Sequence, residues 1–137
     1  MNRISRHLTF AGVVAVIAVF AALGASASAN TIKYPTTIEQ GASWIPNQSD
    51  PLVIFFAGNV HSPKHACVAN RTVKEIAVTG SQRVLIDTDR TSDNGAWATG
   101  GRIEGNPDEV IAQATRKRIG RHHQNVCKAA SVSLGVT

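Results

Sequence analysis

Leu52-Val53-Ile54-Phe55-Phe56 decides how this chain folds. Five consecutive β-branched, aliphatic and aromatic residues end before Gly58 and Pro63. A run of that length between breakers is the signature of a buried strand rather than a helix. Downstream, Val73–Thr79 reads as a second strand ended by Gly80-Ser81, and Val84–Ile86 as a third. Ser92-Asp93-Asn94-Gly95 is a strong turn signal, and Ala96–Thr99 follows it as a fourth strand. From Cys127 to Val136, small residues alternate with Val132, Leu134 and Val136, which suits a closing strand. Short strands separated by turns every 8–12 residues or so predict an all-β domain, a single small antiparallel β-sandwich of about seven strands.

Upstream the texture differs. Residues 30–50 are polar and broken by Pro35, Gly41 and Pro46, which predicts an extended leader ahead of a sandwich spanning residues 51–137. Ile38, Trp44 and Ile45 are its only candidates for contact with the body. Trp97, two residues after the turn, is expected in the core, and Trp44 outside it.

Residues 1–29 have the order of a secretory signal peptide. Arg3 and Arg6 precede an uncharged apolar run from Leu8 to Leu23, and Ala27-Ser28-Ala29 offers a small-residue cleavage site before Asn30. The run is short of the ~20 apolar residues of a spanning helix. The expectation is therefore a secreted or envelope-associated protein with no membrane span once the signal is removed. Retention of the segment as an anchor is the alternative.

The 137 residues carry a formal charge of +5. Without Arg3 and Arg6, twelve basic residues face nine acidic ones, a balance of +3 that gives no reason to expect nucleic acid as a partner. Only two cysteines are present, Cys67 and Cys127, both beyond the signal. In an oxidising compartment two thiols in a small domain usually pair.

One segment gives contradictory signals. Asn106-Pro107-Asp108-Glu109 has a helix cap, a first-turn proline and first-turn acids, and Arg116-Lys117-Arg118 precedes Gly120. Local rules make residues 108–119 a helix. Yet Val110, Ile111, Ala114 and Ile119 form a ragged apolar stripe for one.

Phe56-x-Gly58-x-Val60-x-Ser62, then Cys67, Arg71 and Val73, resembles small exported actinobacterial β-sandwich domains. These are similar to the transthyretin-like regulatory domain of carboxypeptidases and to collagen-adhesin B-type repeats. Asp87-Thr88-Asp89 leading to Gly95-x-Trp97, Val110-x-Ala112-x-Ala114 and Cys127-Lys128-Ala129-Ala130-Ser131 extend the likeness over residues 52–136. The resemblance implies that Cys67 and Cys127 are partners, that the segment after Pro107 is a strand, and that the domain is a non-catalytic binding, spacing or stabilising module.

Site candidates are sparse. His61 and His65 precede Cys67, and His122 and His123 precede Cys127, so a histidine-based zinc or copper site is one alternative, that of a small metal- or ligand-binding protein. The spacing fits no tight zinc motif, and solvated loop histidines are the simpler reading, with no cofactor expected. Asp87, Asp89 and Asp93 with Gly95 suggest a calcium loop, but Glu104 is too distant to complete it. No serine has a nucleophile context, and no carboxylate pair is set for hydrolysis, so no catalytic residue is assigned. Arg116, Lys117, Arg118 and Arg121 form the dense basic patch. In a strand, Arg116 and Arg118 share a face and Lys117 opposes them. Such a patch protects a sheet edge or attracts an anionic cell-envelope polymer; another envelope protein is the remaining partner class. Asn47 and Asn70 head glycosylation sequons.

Overall fold

The computed structural model describes residues 30–44 and 52–135. The signal segment, the Asn47 sequon and Ile45 lie outside the described residues. Eleven strands form among them: β1 (Lys33–Tyr34), β2 (Thr37–Ile38), β3 (Gly41–Trp44), β4 (Leu52–His61), β5 (Thr72–Thr79), β6 (Gln82–Arg90), β7 (Ala96–Ile103), β8 (Glu109–Ala114), β9 (Lys117–Ile119), β10 (Asn125–Cys127) and β11 (Ala130–Gly135). The sole helical element among them is a 3-10 turn at His65–Cys67.

The chain is an all-β sandwich with one disulfide. Its first sheet has the order β11-β8-β5-β6, antiparallel throughout. In the second, β4 is the spine: β7 lies along one side, and β2 and β3 pair with it antiparallel. A small third sheet, β1-β10-β9, closes one end and contains the parallel pair β1–β10. Alternation sets the core. Ile54, Phe56 and Val60 of β4, Val73 and Ala77 of β5, Trp97 and Ile103 of β7, and Val110, Ala112 and Ala114 of β8 meet between the two main sheets.

The boundary at residue 50 needs correcting. Residues 33–44 are not a leader: β2 and β3 supply strands to β4, and Ile38 is buried in the main core. Polar residues and prolines hid this because each strand has only two to four residues, too short to show a period. Trp97 is 3% exposed in the core, where its position after the turn placed it.

Residues 108–119 form β8 and β9 rather than a helix. Asp108 does cap backbone, but that of another turn: its Oδ2 accepts from Gly80 N at 2.7 Å, and its own amide donates to Val78 O. Val110, Ala112 and Ala114 are fully buried at period two, and burial between two strands outweighs local helix preference.

The Ser92–Gly95 turn forms, with β7 directly after it. It closes with Gly95 N donating to Ser92 O, but it carries the chain from β6 to β7, which lie in different sheets, so it is a corner and not a hairpin. Gly95 has φ +91°, and a methyl group there would lie 2.3 Å from the Val60 carbonyl oxygen.

Candidate functional site

Cys67 and Cys127 are disulfide-bonded, with Cα atoms 5.4 Å apart, both fully buried. Around them lies a second small core of Ile119, Tyr34 and Ala66. The bond joins the 3-10 turn to β10.

Arg71, four residues beyond Cys67, is fully buried as well. Nη1 donates to Cys67 O at 2.8 Å and to Thr36 Oγ1 at 3.3 Å; Nη2 donates to Thr115 O at 2.6 Å and Lys128 O at 2.9 Å. One guanidinium thus holds the β1–β2, β8–β9 and β10–β11 connections to the disulfide turn. Every acceptor is neutral, and burial lowers the pKa of Arg71. Its planar fork supplies the several fixed donors this junction needs. The sequence pattern singled out Arg71 only through a family resemblance; no local signal marks an arginine as buried.

The basic patch divides. Arg116 and Arg118 are exposed, as is Arg121 in the following turn. Lys117 points the other way, and its Nζ donates to Ala66 O at 3.0 Å and Ala69 O at 2.7 Å. Burial first, then the charges of Arg71 and Arg90, lower its pKa. Lys117 is therefore structural, a correction to its place in an anion-binding set.

What the patch loses there it regains across the third sheet. Register aligns Arg118 with Val126 and Val126 with Lys33, so two exposed cations flank Val126 on one face. Lys128 and Lys64 are exposed at the same end, Lys64 Nζ lying 5.9 Å from the Tyr34 ring centroid. From Val110 to Thr137 the sequence has no Asp or Glu. The carboxylates nearest this end are Asp93, whose carbonyl oxygen lies 3.0 Å from His65 Nε2, and Asp89, which pairs with Val73 and is held by Ala98, while Glu104, Asp108 and Glu109 lie near the β7–β8 connection.

The histidines do not converge. His61 Nε2 lies 3.4 Å from Glu39 Oε2, and His65 Nε2 is 3.0 Å from Asp93 O. His122 and His123 are exposed beyond β9. Among the described residues no three potential ligands gather for a metal. Asp87 and Asp89 have another use. They occupy inward positions of edge strand β6, and their Oδ2 atoms accept from the amides of Gly100 (3.1 Å) and Ala98 (2.8 Å) on β7. Two carboxylates thus tie the edges of opposing sheets together. Asn70 Oδ1 accepts from Arg90 Nη1 at 3.0 Å.

At the far end from the disulfide, a cleft of about 520 Å³ opens between β6 and β7, lined by Val84, Leu85, Ile86 and Ile103 with Arg102 and Glu104 at its rim. Among the described residues no helix is long and apolar enough to cross a membrane. No protein-family model, curated protein or solved structure matches the chain.

Proposed function

We propose that this chain is an exported, non-enzymatic β-sandwich that docks on an anionic cell-envelope polymer through its disulfide end. The observation that carries this reading is charge segregation. Lys33, Arg116, Arg118, Arg121 and Lys128 are exposed there, on elements that bring no carboxylate. Cations outnumber the nearby exposed Asp93 at this end, and such an excess creates a field that attracts polyanions and orients the approach. Support for a non-catalytic role comes from the groups with shifted proton affinity: Glu75, Arg71 and Lys117 are tied into the fold by hydrogen bonds and none lies in an open cleft. The disulfide fits an oxidising compartment, as the charged, apolar and small-residue order of residues 1–29 requires. The motif resemblance read from the sequence, to carboxypeptidase regulatory-like sandwiches, implies a module of this kind.

Cosedimentation with purified anionic wall polymer tests the reading. Binding should fall steeply between low and high salt, because exposed charges are screened beyond ~10 Å at 0.1 M. Replacing Arg116, Arg118 and Arg121 with Gln should abolish it while leaving the melting temperature nearly unchanged. Retention that ignores both salt and the triple replacement would rule the surface out.

A further inference from the structure

Strand register puts three residues in one row across the inner face of the second sheet. Ile38 pairs with Val60 and Gly41 with Ala57, so the single register of β2 and β3 along β4 sets Gln40 opposite Gly58, and Gly58 pairs with Trp97. Gly58 adds no side chain to its row. It could not: a methyl group there would lie 1.8 Å from the Glu39 carbonyl oxygen and 2.9 Å from Cζ2 of Trp97. The next row contains Ala42, Phe56 and Thr99.

Facing these rows from the first sheet is Glu75, midway along β5 between the core residues Val73 and Ala77 and fully buried. Gln40 Nε2 donates to its Oε1 at 2.5 Å. On Glu75 and the rows it faces, four buried polar atoms have no hydrogen-bond partner among the described residues: Gln40 Oε1, Glu75 Oε2, Trp97 Nε1 and Thr99 Oγ1.

Two of those four belong to the hydrogen-bonded pair itself. The amide has spent a donor and retains its acceptor; the carboxyl retains an oxygen. Two acceptors satisfy one another only with a proton between them. A proton on Oε2 turns it into a donor to Gln40 Oε1 and closes a ring of two hydrogen bonds between acid and amide. An ionised Glu75 could turn only to the unpaired donors Trp97 Nε1 and Thr99 Oγ1, neither of which bonds to it here. The strands packed on it present no cation: Ile54, Phe56 and Gly58 on β4, Trp97 and Thr99 on β7, and Ala112 on β8 are uncharged, and Arg71, two inward positions before it, is committed to the carbonyls of Cys67, Thr115 and Lys128. Lys74 occupies the opposite face of β5. Asp87, the ladder partner of Glu75 on β6, and Asp89 are carboxylates themselves, held by Gly100 and Ala98, and Glu39 is exposed beside His61. A buried charge without a partner costs several kcal/mol or is neutralised.

We propose that Glu75 is a proton-binding site built into the fold, whose neutral carboxyl and Gln40 fasten the β2–β3 segment to the core, and that loss of the proton loosens that segment. Detachment hydrates the carboxylate and uncovers the β4 side that Thr37–Trp44 occupies. Burial raises the Glu75 pKa from 4.5 to about 7. The folded protein therefore holds this proton more tightly than the unfolded chain does. The stabilisation is complete below about 4.5 and is lost as pH rises through about 7. Mildly acidic surroundings favour the closed form, and neutral ones release it.

Carbon-13 NMR of the side-chain carboxyl of Glu75, followed from acid to neutral pH, tests this on the unaltered protein. Its midpoint should fall near 7. Amide exchange of Glu39, which donates to Asn59 O at 2.8 Å, and of Gly41, the next hydrogen-bonding position along β4, should lose protection about tenfold or more over the same range once corrected for the intrinsic rate. Val110 and Ala112 on β8 should keep theirs. Glu75→Gln, neutral at every pH, should remove the pH dependence at Glu39 and Gly41. A midpoint near the ordinary 4.5, or protection of β2 and β3 that ignores pH, overturns the proposal. So does a Glu75→Gln protein whose exchange follows the parent's pH profile.

Discussion

Arg71 donates from Nη1 to the carbonyl oxygen of Cys67, 2.8 Å away, four residues before it in the chain and itself covalently joined to Cys127. Guanidinium and disulfide form one junction at the end of the sandwich. Each alone constrains loops the other also touches, so their contributions should couple rather than add.

Cys67→Ser opens a sixty-residue covalent loop. In the chain-entropy view such a loop contributes about 4 kcal/mol. A domain this size shifts by roughly 4–8 °C per kcal/mol, so melting should fall by more than about 10 °C. Differential scanning calorimetry checks it, and thiol titration of the parent should find both cysteines blocked.

Arg71→Met removes the charge and strands three carbonyl groups, those of Cys67, Thr115 and Lys128. A loss of about 3–5 kcal/mol in urea titration is expected, in line with breaking a buried polar hub. Arg71→Lys should rescue little of it, since one ammonium cannot span acceptors arranged for a fork.

Deleting residues 30–44 should abolish cooperative unfolding. It strips β4 of β2 and β3 and removes Ile38 from the core. The point version, Ile38→Ala, should cost about 2–5 kcal/mol. A truncated protein that still unfolds in one sharp transition would restore the boundary at residue 50.

Asp87→Ala with Asp89→Ala leaves the amides of Gly100 and Ala98 unpaired along the β7 edge. About 1–3 kcal/mol should be lost, and light scattering at raised temperature should show faster aggregation. Inward carboxylates on an edge strand are a known protection against edge-to-edge pairing, and their removal tests it directly.

The main strands were legible because a long strand displays its period. Leu52–Phe56 and Val73–Thr79 announce themselves, whereas Pro107 and Asp108 made residues 108–119 read as a helix by local rules, and only the resemblance implied the strand that forms there. Lys33–Tyr34 and Thr37–Ile38 do not, being only two residues each. Arg116 and Arg118 were readable as one exposed face. Lys117 was not readable as a tie to Ala66 and Ala69, nor Glu75 as a partner of Gln40, because those contacts span from 35 to 51 residues and leave no local trace. Spacing reveals periodicity, whereas a buried polar pair is a property of the finished packing.

The parallel pairing of β1 with β10 has a consequence for synthesis. Ile32 N donates to Asn125 Oδ1 across 93 residues, and Lys33 aligns with Val126. A chain emerging amino-terminus first cannot seat its opening strand until nearly all the rest has appeared. Closing so long a separation is slow. Until then β1 waits unpaired, and Cys67 lacks the partner that will lock the end of the molecule. Seating of β1 is thus timed by the arrival of β10, and truncation before Asn125 should undo Lys33–Tyr34 as surely as the strands removed.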